Sequence, residues 1–164
     1  MLNTRLTLVS DTISVALKDL SARLEDPHQA MKDIGAEMQK RISARFESQS
    51  DPSGKAWAPR SQVTLDLYAK RAEEGGPKGH GRILDDIGTM LSSLVWEADQ
   101  TSVVVGFGAV ASKKGDAYAV YHEFGAPKNN MPRRGLIFED PESSTLTQDD
   151  KQAISDIIIA SMVD

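Results

Sequence analysis

The feature that most constrains the fold is a row of apolar side chains within residues 27–47. They recur at steps of three and four residues: Met31, Ile34, Met38, Ile42 and Phe46. That spacing places all of them on one face of a helix. Asp26 and Pro27 suit the start of such a helix, since aspartate accepts hydrogen bonds from free backbone amides and proline fits the first helical position. We therefore expect a long helix from about residue 27 to Glu47 with one buried side.

Shorter patterns predict the other elements. Before the long second helix we expect a strand over 4–9 and a first helix capped by Ser10 or Asp11. After it we expect a third helix that begins at Ser61 and turns Leu65, Tyr68 and Ala69 inward, a short helix capped by Thr89 and running through Leu94, and two strands over 95–97 and 102–107. A loop over 109–116, a strand over 136–138 and a C-terminal helix follow; Thr147 caps that helix, and its apolar stripe is Ile154, Ile157, Ile158 and Met162. Short strands with helices around them predict an α+β domain. In it a small, mostly antiparallel sheet packs against several helices, including the long second helix and the C-terminal helix.

The composition of two loops predicts that one is fixed to the fold and that the other is mobile. Trp57 lies in a stretch of turn-forming residues, and an indole this large is expected to fix its loop onto the body of the fold. The stretch over 73–82 is rich in glycine and charge and lacks a large apolar residue, so we expect a mobile loop there. The whole of 1–164 fits a single domain.

Composition and charge narrow the class of protein. The chain has no cysteine and a formal charge of −5, which excludes disulfide frameworks and thiolate metal sites and disfavours a general nucleic-acid binder. No apolar run approaches the ~18 residues of a membrane span, so we expect a soluble chain without a membrane partner. Residues 40–82 carry nine basic and five acidic side chains, whereas residues 83–164 carry six and thirteen. This division suits head-to-tail contact between copies.

An aromatic stretch occupies residues 117–125. Tyr118, Tyr121 and Phe124 recur every three residues and would lie along one side of a short helix. Gly125 supplies the left-handed residue that helix ends favour. We expect this helix to pack aromatic side chains, Phe124 among them, into the core.

Patterns that would indicate catalysis are incomplete. Residues 106–111 match G-x-G-x-x-A, but Ser112 to Gly115 interrupt the helix that a dinucleotide site needs. His122-Glu123 lack the second histidine of a zinc protease, and no Gly-x-Ser-x-Gly turn occurs. We therefore expect no enzyme activity and neither a metal nor a cofactor.

Several segments form an ordered set. They are Arg45-Phe46, the stretch from Asp51 to Trp57, the stretch from Ile83 to Leu94, Val104-Val105-Gly106, Tyr118-Ala119 with His122 and Phe124-Gly125, and Pro132-Arg133-Arg134. Together they resemble the phage virion morphogenesis family, the tail-completion proteins of tailed phages. The resemblance covers nearly the whole chain. The sequence departs from it after Arg134, where Gly135-Leu136 stand in place of proline and an aromatic residue.

The resemblance implies a structural virion protein, assembled in the host cytoplasm and located at the neck or the head-proximal end of the tail. Such proteins are similar to tail terminators, which form a ring, usually sixfold, that stops tail-tube growth and offers a docking face to the head. The implied partners are copies of the chain in a hexameric ring, tail tube or sheath proteins, and head–tail connector proteins. DNA only passes through the lumen, which we expect to be lined by more acidic than basic side chains. The candidate residues for the subunit contact or the hub of the fold are Trp57, Tyr118, Tyr121, His122, Phe124, Gly125, Pro132, Arg133 and Arg134.

Two other interpretations stay open at this stage. The chain can be a head–tail connector or stopper component, which would contact the portal side and not the tail tube. It can also be a phage hydrolase, for which substitution of His122 and Glu123 would abolish turnover. Arg134 is in any case suited to hold a neighbour's carboxylate through two parallel hydrogen bonds.

Overall fold

The computed structural model describes residues 26–108 and 118–162. Its elements are helices α1 (Pro27–Ser48), α2 (Gln62–Glu73) and α3 (Thr89–Ser92), strands β1 (Leu94–Ala98) and β2 (Val103–Phe107), helix α4 (Tyr118–Phe124), a 3₁₀ turn over Pro127–Asn129, and helix α5 (Gln148–Ala160). The α+β class is confirmed, with the sheet of the described ranges consisting of two antiparallel strands. The strand predicted over 4–9, the first helix and the loop over 109–116 lie outside the described residues.

Helix α1 forms the centre of the core. It begins as predicted, with the Asp26 carboxylate accepting a hydrogen bond from the Gln29 amide at 3.0 Å and with Pro27 as its first residue. All five side chains of the predicted stripe are at most 2% exposed. Burying each of them is worth about 1.5–3 kcal/mol. The stripe therefore organises the packing of everything that follows.

The two predicted strands form a hairpin. Trp96 of β1 lies opposite Val105 of β2. Between the strands, the Asp99 carboxylate accepts hydrogen bonds from the backbone amides of Thr101 and Ser102. The hydrogen bond from the Thr101 amide, followed by that from the Ser102 hydroxyl, lowers the pKa of Asp99 to about 2. The turn is therefore fixed by its own side chain.

The hairpin lies against α1 at a glycine. A Cβ atom on Gly35 would come within 2.6 Å of the Trp96 ring, so only glycine permits this approach. Next to it, the Gln39 amide donates to the Leu94 carbonyl at 2.8 Å and accepts from the Trp96 indole at 3.2 Å. The helix and the sheet are thus joined by packing and by two hydrogen bonds.

Helix α5 is capped as predicted. The Thr147 hydroxyl accepts a hydrogen bond from the Asp150 amide at 3.2 Å. Ile154 and Ile158 are buried, whereas Met162 is exposed and lies beyond the end of the helix. The predicted stripe is therefore shorter than expected.

Two helices differ from the expectation. Ser61 caps α2, but α2 buries none of its residues, and Leu65 and Ala69 are exposed. Periodicity predicts which side of a helix is apolar, not whether the same chain covers it. Helix α3 follows Gly88, whose φ is +81°, and ends at Ser92 because the chain enters β1 two residues later.

Candidate functional site

The candidate site is built around the arginine segment, residues 132–138. Leu136, Ile137 and Phe138 are at most 3% exposed, so their backbone groups are removed from water. The strand predicted here is wrong: within the described ranges, these residues pair with no strand. Buried backbone groups still require partners. Side chains supply them instead of a neighbouring strand.

Glu123 provides the acceptors. Its fully buried carboxylate accepts hydrogen bonds from the amides of Leu136 at 2.6 Å, Ile137 at 2.9 Å and Phe138 at 3.1 Å. Ala119, the other buried residue of α4, lies four positions earlier and therefore on the same face. Three charge-assisted hydrogen bonds thus fix the segment to α4.

Two arginines provide the donors. Arg133 donates from Nε to the Glu123 carbonyl at 2.8 Å and from Nη2 to the Phe138 carbonyl at 2.7 Å. Arg45 of α1 donates from Nη1 to the Leu136 carbonyl, also at 2.7 Å. The segment is therefore held from both α4 and α1.

Trp57 and Gly125 complete the support. The Trp57 indole donates to the Gly135 carbonyl at 3.0 Å and meets the Phe46 ring edge-on at 5.4 Å, which confirms that Trp57 fixes its loop. Gly125 ends α4 with φ +76°, also as predicted. A Cβ atom there would lie 3.0 Å from the Arg133 amide nitrogen.

The aromatic row of α4 points differently from the prediction. Tyr121 and Phe124 are 40% and 42% exposed, so the expectation that this row packs into the core is wrong for both. Tyr118, the first of the row, is half-buried and packs against the core. The reason lies in Glu123, which must face inward to reach the arginine segment. That orientation turns Tyr121 and Phe124 toward solvent.

An open cleft of about 690 Å³ borders α4 on the side of Tyr118 and His122. Thr64 and Tyr68 of α2 form the facing wall. Aliphatic side chains from the 83–90 loop and residues 129–134 complete the lining. The cleft is therefore enclosed by the helix that lacks a buried side and by the helix that anchors the arginine segment.

Arg134 is the most buried charged group of this cleft. It is 7% exposed, and its guanidinium donates to the carbonyls of Ala58 and Pro59, both at 2.8 Å. Its backbone amide donates to the His122 carbonyl at 2.7 Å. Across residues 26–108 and 118–162, Arg134 forms no ion pair with a carboxylate. Burial without a counter-ion lowers the pKa of Arg134.

His122 lies beside it. Its ring is edge-on to Tyr118 at 6.5 Å, and its Nδ1 is buried without a hydrogen-bond partner in the described part of the chain. Burial, and then the charge of Arg134, lower the pKa of His122 to about 4. The imidazole is therefore neutral at pH 7, and the positive charge of this pair comes from Arg134.

Two further arginines lie on the α2 side of the cleft, and of these only Arg71 is paired with a carboxylate in the described ranges. Tyr68 packs between two guanidinium groups, with Arg71 at 4.9 Å and Arg60 at 5.5 Å from its ring centroid. Arg71 also holds Asp86 through two hydrogen bonds, which lower the pKa of Asp86. Asp86 is thus committed to Arg71 and does not balance Arg134.

The predicted candidate residues occupy three settings. Trp57, Gly125 and Arg133 hold the arginine segment; Tyr118, His122, Pro132 and Arg134 line the cleft; Tyr121 and Phe124 project from α4 into solvent. Sequence reasoning missed Glu123 as the central structural carboxylate. Its spacing of four from Ala119 was the available signal.

No three His, Cys, Asp or Glu side chains of the described ranges are placed to hold a metal ion. None of the helices described combines the length and apolar character that crossing a membrane requires. Both carboxylate oxygens of Glu123 are occupied by backbone amides, so Glu123 is not free to act as a base beside His122.

These features define an α+β structural domain in which the buried ionic groups mostly hold the fold together and a deeply buried arginine faces a cleft without a counter-ion. The model of the phage virion morphogenesis family matches residues 8–163, and the chain belongs to that family. It has a structural or assembly role in a phage virion. No curated protein and no solved structure matches the chain.

Proposed function

We propose that the chain is a ring-forming tail-completion protein that closes the head-proximal end of the tail tube and helps to join tail to head. The observation that carries the proposal is apolar surface left in solvent. On α2, Val63 and Leu67 are 67% and 61% exposed and share one helix face; on α4, Tyr121 and Phe124 are exposed. Aromatic side chains are enriched among the residues that dominate protein interfaces.

A second copy of the chain is the occupant that fits this surface. Family membership supports an assembly role, and the basic excess of residues 40–82 complements the acidic excess of residues 83–164. A contact between unlike faces of identical subunits closes into a ring when its rotation permits. Charge complementarity then fixes the register of neighbouring subunits.

The role is one of shape and not of catalysis. Glu123 is held by three backbone amides and is therefore not free to act beside His122, as the hydrolase interpretation requires. DNA would pass through the lumen of the ring. A ring structure with a pore lined mainly by lysine and arginine would reject the expected acidic lining.

The test is light scattering on the purified chain, alone and mixed with tail tubes that lack their completion protein. We expect a closed particle whose mass is a fixed multiple of 17.9 kDa and arrest of tube growth. Val63→Ser with Leu67→Ser should prevent this assembly, whereas Asp66→Ser, on the same helix, should not. Binding to the portal side alone would favour the connector or stopper, and binding to neither would reject the proposal.

A further inference from the structure

The cleft between α2 and α4 contains a positive charge that the described chain leaves uncompensated. We propose that it is a carboxylate-binding site, and that it receives a glutamate from the acidic turn (residues 139–142) of a neighbouring copy. The inference rests on the self-association proposed above. It assigns to that contact a specific ion pair centred on Arg134.

The geometry of Arg134 suits a carboxylate. Its Nε and Nη2 are held by two carbonyls, so the guanidinium plane is fixed before any ligand binds. Its Nη1 makes no hydrogen bond to the described residues and belongs to a side chain that lines the cleft. A preorganised guanidinium loses little entropy on binding, and its fork matches carboxylate oxygens.

His122 contributes a neutral ring to the same cleft. Its Nδ1 has no hydrogen-bond partner in the described ranges but is itself buried, so the charge that attracts a carboxylate comes from Arg134. Aliphatic groups of Ile83, Met90 and Met131 line the same cleft. They place apolar surface beside an ion pair formed there, where the effective dielectric constant is lower than in bulk water.

The acidic turn offers carboxylates that are not already engaged. Glu139 and Glu142 are exposed, and neither side chain has an ionic partner within residues 26–108 and 118–162. Between them, Asp140 accepts hydrogen bonds from the Ser143 hydroxyl at 2.7 Å and the Glu142 amide at 3.1 Å. Asp140 thus shapes the turn and leaves Glu139 and Glu142 available.

Several other carboxylates fit less well because they already have cationic partners. Glu37 pairs with Lys40, Glu47 with Arg82, and Glu74 with Lys70. One chain therefore carries an unpaired cation in its cleft and unpaired carboxylates on its acidic turn. Contact between copies satisfies both, and because the two surfaces differ, the contact is head-to-tail.

Cross-linking provides a direct test, since the chain has no cysteine of its own. Asn129→Cys marks the exposed rim of the cleft, and Ser143→Cys marks the end of the acidic turn while leaving Glu139 and Glu142 in place. With a short bis-maleimide, the mixture of these two variants should give dimers that contain one of each, while each variant alone stays uncross-linked. Gln152→Cys, at an exposed position of α5, replaces Ser143→Cys as the matched control and should give no dimers with Asn129→Cys.

Charge variants test the ion pair itself. Arg134→Gln inactivates the cleft, and Glu139→Gln with Glu142→Gln inactivates the turn, so each variant should weaken self-association about tenfold or more. Their mixture should form one-to-one dimers and nothing larger, since each retains one intact face. Arg82→Gln removes a surface arginine of equal charge and should change nothing. Near-ultraviolet circular dichroism verifies that each variant is folded.

The outcomes separate the two proposals. If wild-type chain forms rings while the paired cysteines do not cross-link, the carboxylate site is wrong and the ring stands. Cross-linking of Asn129→Cys to a different tail protein would overturn the choice of a second copy. If wild-type chain forms no ring, alone or on tail tubes, the proposed function fails first. Should Arg134→Gln not fold, the cysteine experiment decides without it.

Discussion

Arg45 and Arg134 are equally buried, at 7% exposure each, but they are compensated very differently. The Arg45 guanidinium meets the Asp150 carboxylate at 2.5 Å and the Leu136 carbonyl at 2.7 Å. Arg134 meets only carbonyl groups. The region around Arg45 is complete within one chain, whereas the cleft around Arg134 is not.

The energetic contrast follows from desolvation. Removing a guanidinium from water costs several kcal/mol, which a well-placed carboxylate offsets. Asp150 offsets it for Arg45 and also holds Arg41 at 2.7 Å. Nothing equivalent offsets it for Arg134 among residues 26–108 and 118–162, and the lowered pKa of Arg134 reflects this. Proteins retain such local costs chiefly where function requires them.

The largest effect is expected at Asp150. Asp150→Ala leaves Arg45 buried without its carboxylate and should lower the free energy of unfolding by about 3–5 kcal/mol. Urea unfolding followed by the fluorescence of Trp57 and Trp96 measures it. Asp149→Ala, at the neighbouring exposed position, should cost less than about 1 kcal/mol. Equal losses at the two positions would show that the Arg45 region is not the ionic centre described.

The next largest loss of stability is expected for Glu123→Gln. The amide keeps the shape of the carboxylate but replaces one acceptor with a donor, which then faces backbone N–H groups. The expected loss of unfolding free energy is about 3 kcal/mol. Hydrogen exchange at the amides of Leu136 and Phe138 should accelerate with it, whereas exposed Glu142→Gln should leave exchange there unchanged. Unaltered exchange in Glu123→Gln would mean that the arginine segment is held by its arginines alone.

The dependence of the arginine segment on residues distant in the sequence explains how much of the fold could be predicted from the sequence. The helix over 27–48, the hairpin and the cap of α5 depend on neighbours within a few positions, and all three were predicted. The run Leu136–Phe138 has strand-like composition, but its partners come from Glu123 and from Arg45, some 90 residues earlier. Periodicity carries no information on such distant pairing.

The candidate site was predicted in its residue types more than in its geometry. The aromatic spacing suggested an inward face, and Gly125 correctly marked the end of the helix. What reversed the orientation was the single carboxylate of Glu123, whose three backbone partners could be identified only in the folded chain. The absence of a counter-ion at Arg134 is likewise a property of packing, since acidic residues are plentiful in the sequence.

A smaller, pH-dependent effect on stability is expected at His122, in the cleft around Arg134. The pKa is about 4 in the folded chain and about 6.5 when unfolded. The unfolded state therefore binds more protons between these values, and stability is lost as the pH falls from 6.5 to 4. Allowing for partial exposure, wild type should lose about 2 kcal/mol more than His122→Gln between pH 7 and 4. Urea unfolding of the two proteins across that range measures the difference. An equal loss of unfolding free energy in both would contradict the lowered pKa of His122.

The smallest effect on folding is expected where the effect on assembly is largest. Arg134→Met removes two hydrogen bonds to carbonyls but also removes a buried charge without a counter-ion, so it should cost at most about 1 kcal/mol. Arg45→Met, the matched change at equal burial, deprives Asp150 of one of its two arginines and should cost several times more by urea unfolding. If the two substitutions lower the free energy of unfolding equally, Arg134 is compensated within the chain as fully as Arg45 is. A carboxylate from a neighbouring copy is then not required in the cleft.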